Sequence, residues 1–130
     1  DWSSDVCSSD LAIEAGRLMI HRISECGRKN ESFAFETTLS GRGYYKKIDE
    51  WKKHGYEIIL YFFKLPSSEF AIARVKLRAS RGGHNIPERD IRRRFVRSWD
   101  NFNTLYKPLV DSWAIFDTSR DMPVILDQSE

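Results

Sequence analysis

Two groups of residues in this chain have types and spacings suited to chemistry. The first spans residues 78–94, where Gly82, Gly83 and His84 separate two arginine-rich segments. Across residues 74–97 nine Lys/Arg stand against two acids, Glu88 and Asp90. A cluster that dense repels itself unless an anion compensates it, and guanidinium forks match phosphate oxygens well. The glycines free the backbone to swing, so the stretch is predicted to close over a phosphate as the lid of a phosphoryl-transfer enzyme. The second group is Glu36, Thr37 and Thr38, a carboxylate and two hydroxyls directly after the apolar run Phe33, Ala34, Phe35. At the carboxyl end of a buried strand such groups stand where open α/β sheets hold their ligands. An acid that ends an apolar strand must be solvated or paired. Arg42, flanked by Gly41 and Gly43, adds a cation nearby, while Thr38 and Ser40 have an alternative duty as caps of the next helix.

The elements that position these groups follow from periodicity. Ile13, Gly16, Ile20 and Ile23 recur at helical spacing over residues 12–29, with Gly27 near the end. Residues 32–35 read as a buried strand, and Tyr44, Ile48 and Trp51 as a helical stripe ending at His54 and Gly55. Residues 56–63 are apolar on both faces, as in an interior strand of a parallel sheet. A helix through Phe70, Ala73 and Leu77 carries Arg74, Lys76, Arg78 and Arg81. After the Gly-Gly-His loop Pro87 opens a long helix whose buried stripe is Ile91, Phe95, Trp99, Phe102, Tyr106 and Leu109. Residues 113–117 and 123–126 supply two more strands. Strands alternating with helices predict an α/β fold, a parallel sheet sandwiched between helices.

Composition narrows the class further. Residues 1–11 read as a translated short-read sequencing adapter, which makes residues 12–130 the expected native part and implies truncation at that junction. With that leader set aside, 21 bases stand against 16 acids, so the charge excess resides in one basic element. Cys26 is then the lone cysteine, which suits a reducing, cytoplasmic compartment and leaves no disulfide framework. No apolar run approaches the roughly 20 residues of a membrane span.

The motifs at residues 32–42, 65–67, 82–87, 91–95 and 103–106 together resemble the zeta-toxin-like family of P-loop kinases. The resemblance covers nearly all of residues 12–130. It implies a truncated kinase-like domain holding the substrate wall and the lid. It also implies ATP and Mg²⁺ as cofactors, a hydroxyl of a sugar-nucleotide-like acceptor as substrate, and an antitoxin protein as a partner. Carried over by position, Glu36 matches the acid that contacts the substrate sugar, with Thr38 as the neighbouring hydroxyl and Thr37 and Arg42 beside them. Arg94 or Arg93 matches an arginine that reaches the transferring phosphate. The family's first lid arginine falls near His84, and Arg78 or Arg81 is the alternative source of that charge. The Gly-x-x-x-x-Gly-Lys-[Ser/Thr] string that cradles ATP phosphates is not in the sequence. The family's general-base aspartate would fall upstream of Ala12, so the chain is expected to be an inactive fragment.

A nucleic-acid-binding module is the rival class, with the arginine-rich helix lying along phosphates. Against it, the same helix turns an aromatic stripe inward and its bases gather near the glycines instead of tiling one face.

Overall fold

The computed structural model describes residues 10–83 and 85–130. Helix α1 (Asp10–Arg28) begins inside the segment read as a leader and ends where Asn30 takes a left-handed backbone (φ 55°), a conformation asparagine tolerates better than most residues. Helix α2 (Gly43–Lys53) stops at Gly55, also left-handed at φ 92°. Strand β1 (Ile59–Lys64) leads to helix α3 (Ser68–Ser80), whose N-cap Ser67 accepts the Phe70 N–H at 3.2 Å. Helix α4 (Glu88–Asn101) opens with Glu88 and Asp90 at its positive end. It then widens into a π-helical segment (Phe102–Tyr106), and strands β2 (Ser112–Asp117) and β3 (Val124–Gln128) follow.

The π-helical segment has local causes. Side chains of Asn103 and Thr104 donate to the carbonyls of Trp99 (2.9 Å) and Asp100 (2.8 Å), competing with the backbone ladder. Pro108 has no N–H to continue that ladder. The Lys107 N–H therefore reaches back five residues to the Phe102 carbonyl at 2.8 Å.

The sheet has three strands in the order β1-β2-β3. β1 and β2 are parallel, paired from Ile59↔Ser112 to Lys64↔Asp117, while β3 returns antiparallel with an irregularity between Ile115 and Phe116. Asp111 fixes the entry by accepting the Ile58 N–H at 2.7 Å. The core lies on one face, where Phe102 and Tyr106, both fully buried, pack with Leu39, Ile48, Ile115, Leu60, Phe62, Trp99 and Trp113. Four of the six residues expected in the long helix's buried stripe, Trp99, Phe102, Tyr106 and Leu109, belong to this core.

The expectation of a parallel sheet sandwiched between helices is overturned. Among the described residues only one strand pair is parallel, and β3 runs against its neighbour. Ile59, Tyr61 and Phe63, the opposite face of β1, are more than half exposed, whereas a parallel sheet of the expected kind is covered on both sides. Residues 32–35 form no strand. Phe33 and Phe35 instead pack their rings against Trp51, Tyr56 and Tyr44 at centroid distances of 4.8–6.1 Å. Part of their apolar surface is covered through these ring contacts, without strand pairing.

Candidate functional site

A groove of about 760 Å³ runs beside β1. Residues 33–39 form one wall and residues 56–63 the other, with Tyr44, Trp51, Ser98 and Tyr106 among its lining. Glu36, Thr37 and Thr38 all line it, whereas Arg42, the fourth residue expected on the acceptor side, does not. Glu36 is exposed there, and Thr37 and Thr38 are half-buried.

The turn behind Glu36 has a distinct construction. The Thr38 and Ser40 hydroxyls bond each other at 2.8 Å, and the Ser40 N–H reaches Thr38 Oγ1 at 3.3 Å. Neither hydroxyl caps α2, whose N-cap position is held by Arg42 without a side-chain capping bond. Leu39 sits at φ 57° with its side chain buried, a left-handed conformation that costs a non-glycine residue about 1–2 kcal/mol. Asn101 Nδ2 donates to the carbonyls of Leu39 (2.8 Å) and Gly41 (3.4 Å), and the Tyr106 hydroxyl donates to Gly41 at 3.0 Å. Burial pushes the Tyr106 phenol above its ordinary value, so it stays protonated and remains a donor at neutral pH.

The basic element is built differently. Arg92 bonds Glu69 and Ser68, each at 3.1 Å, Arg93 pairs with Asp90 at 3.2 Å, and Lys76 pairs with Glu88 at 2.8 Å. Three of its cations are therefore matched by acids of the α3–α4 pair itself. The carboxyl of Glu69 is held below its ordinary value first by its backbone N–H and then by Arg92, and that of Glu88 by Lys76. Arg74 donates to the Thr118 carbonyl just beyond β2. Arg78, Arg81 and Arg42 are exposed, and His84 lies outside the described residues.

Gly82 and Gly83 also have a structural duty. The Gly83 N–H bonds the Arg78 carbonyl at 2.8 Å and the Gly82 N–H bonds that of Ala79 at 3.2 Å, with Gly82 at φ 93°. That bond pair is the glycine stop of a helix. A Cβ on Gly83 would sit 2.7 Å from the Arg78 oxygen.

Among the candidate arginines of α4, Arg94 is the one in line with the groove by register. Arg94, Ser98 and Asn101 follow at spacings of 4 and 3, one line along α4. Ser98 lines the groove and Asn101 touches its wall, so Arg94 stands about 10 Å from Asn101 along the helix axis on that side. It is half-buried, and burial pushes its guanidinium below the ordinary value. No candidate arginine lines the groove directly. Sequence reasoning missed Asn101 and gave Tyr106 only a packing role. The signal lay in that polar line running beside the aromatic stripe.

No cluster of three or more His, Cys, Asp or Glu side chains able to hold a metal occurs among the described residues. No described helix is long and apolar enough to cross a membrane.

No family model matches the chain, and no solved structure matches it. Over 83 residues it is 30% identical to a Haemophilus influenzae protein described as an uncharacterized protein, a match covering 64% of this chain and 59% of that relative. The chain thus spans about three fifths of the relative's length, and the likeness carries no statement of activity.

Proposed function

We propose that this chain is the acceptor-binding part of a small-molecule kinase of the zeta toxin type, taking a sugar-nucleotide-like substrate. The observation that carries the reading is the gathering of Glu36, Thr37 and Thr38 at the rim of an aromatic-lined groove. A carboxylate accepts hydrogen bonds from sugar hydroxyls, and aromatic walls suit the flat faces of a base or sugar ring. Arg94, in register with Ser98, supplies the positive charge for a phosphate at the far end of the groove. Transfer itself needs a nucleotide cradle that this sequence does not contain, so the chain binds acceptor without turning it over.

The reading is tested by calorimetric titration with UDP-N-acetylglucosamine, a nucleotide-activated amino sugar. Saturable binding is expected, weakened about tenfold by Glu36→Gln through loss of a charge-assisted bond. Absence of binding at millimolar ligand, or equal affinity in the Glu36→Gln protein, would overturn it.

A further inference from the structure

The wall that carries Glu36 does not hold its shape alone. Leu39 is buried in a left-handed conformation, and the local bonds of Thr38 and Ser40 do not reach the inward-facing carbonyls of Leu39 and Gly41. Those two oxygens are met by Asn101 and Tyr106, which are 5% and 0% exposed. Asn101 is the last residue of α4 and Tyr106 the last of the π-helical segment.

Their spacing explains the segment between them. In a regular α-helix residues five apart point about 140° away from each other around the axis. Bonding five residues back, as the Lys107 N–H does to the Phe102 carbonyl, turns such residues towards a common side. Here both side chains arrive at the Gly41 carbonyl, at 3.4 Å and 3.0 Å.

We infer that Asn101 and Tyr106 are positioning residues, brought to one side by the π-helical segment to fix the groove wall presenting Glu36, Thr37 and Thr38. The functional meaning rests on the acceptor reading above, whereas the geometric statement is independent of it. Asn101 and Tyr106 both donate to carbonyls of the wall, and the Tyr106 ring also lines the groove.

The test uses the whole chain and two variants, Tyr106→Phe, which keeps the ring, and Asn101→Ala. Backbone amide resonances of residues 37–41 are followed alongside UDP-N-acetylglucosamine affinity. In Tyr106→Phe those resonances are expected to shift while β1 and β2 amides stay in place, and the dissociation constant to rise about five- to tenfold for one lost hydrogen bond. Wild-type resonances for residues 37–41 in both variants would overturn the inference. So would shifts spread evenly through the core, which mark a packing role only. If Asn101→Ala fails to fold, Tyr106→Phe decides alone. If the wild-type chain binds no amino-sugar nucleotide, the acceptor reading falls while the resonances still judge the positioning.

Discussion

The groove wall and the basic α3–α4 pair have opposite constructions. Around Glu36 few charges are present, yet the backbone is held in a costly conformation by buried donors from a distant element. In the basic pair charges are abundant, yet Arg92, Arg93 and Lys76 are matched by Glu69, Asp90 and Glu88 within the same two helices. Strain held in place by remote partners marks places where function is sought. Charge density at a solvated, self-paired surface does not. That contrast is why the proposed site lies in the groove, with Arg94 alone drawn from the basic element.

Mutations can break that contrast, and the largest effects belong to the core under the groove. Phe102→Ala removes a fully buried ring and is expected to cost about 3–5 kcal/mol in urea unfolding, enough to threaten folding of a chain this size. Asn101→Leu strands the Leu39 carbonyl in the interior and is expected to cost about 1–3 kcal/mol by the same measurement. If Asn101→Leu were neutral, the buried bond to the wall would carry no weight and the contrast would fail.

The helix stop comes next. Gly82→Ala places a side chain at φ 93° and is expected to cost about 1–2 kcal/mol, visible as a lower urea midpoint. Its effect on acceptor affinity is expected to be small if the glycines end a helix and large if they work a lid. Removing the self-paired charges has the smallest effect. Arg92→Ala is expected to leave the melting midpoint almost unchanged, because the pair is exposed and screened.

Acid sharpens the same comparison. Glu69 and Glu88 have folded values below the ordinary 4.5, so their pairs contribute above that pH and are lost as pH falls below it. Melting followed from pH 6 down to pH 3 is therefore expected to show only a slight loss from these exposed pairs, slighter still in Glu88→Gln. The groove wall, held by neutral donors, is expected to keep its amide protection over the range in which those pairs are lost.

Much of this was legible in the sequence, though unevenly. Helical periodicity located all four helices and the buried stripe of α4, because 3.6-residue spacing is a local property. The strands at β1, β2 and β3 were legible for the same reason. Their direction and order were not, since pairing is set by long-range packing, and the apolar run through Phe33 and Phe35 found rings to pack on instead of a strand to join. Gly82 and Gly83 read as a pivot because glycine permits motion and helix termination alike, and only the hydrogen bonds of the stop distinguish them. Glu36, Thr37 and Thr38 were singled out for following an apolar run expected to be a strand, and that run forms none. Asn101 was not, because one amide in a helix has no periodicity; only its alignment with Arg94 and Ser98 distinguishes it.

The most direct measurement is amide chemical-shift mapping during titration with UDP-N-acetylglucosamine. If the groove is the acceptor site, the perturbed amides will cluster at residues 36–39 and at Ser98, with Arg94 at the edge of the affected surface. Perturbations confined to the α3–α4 pair, or none at saturating ligand, would contradict it.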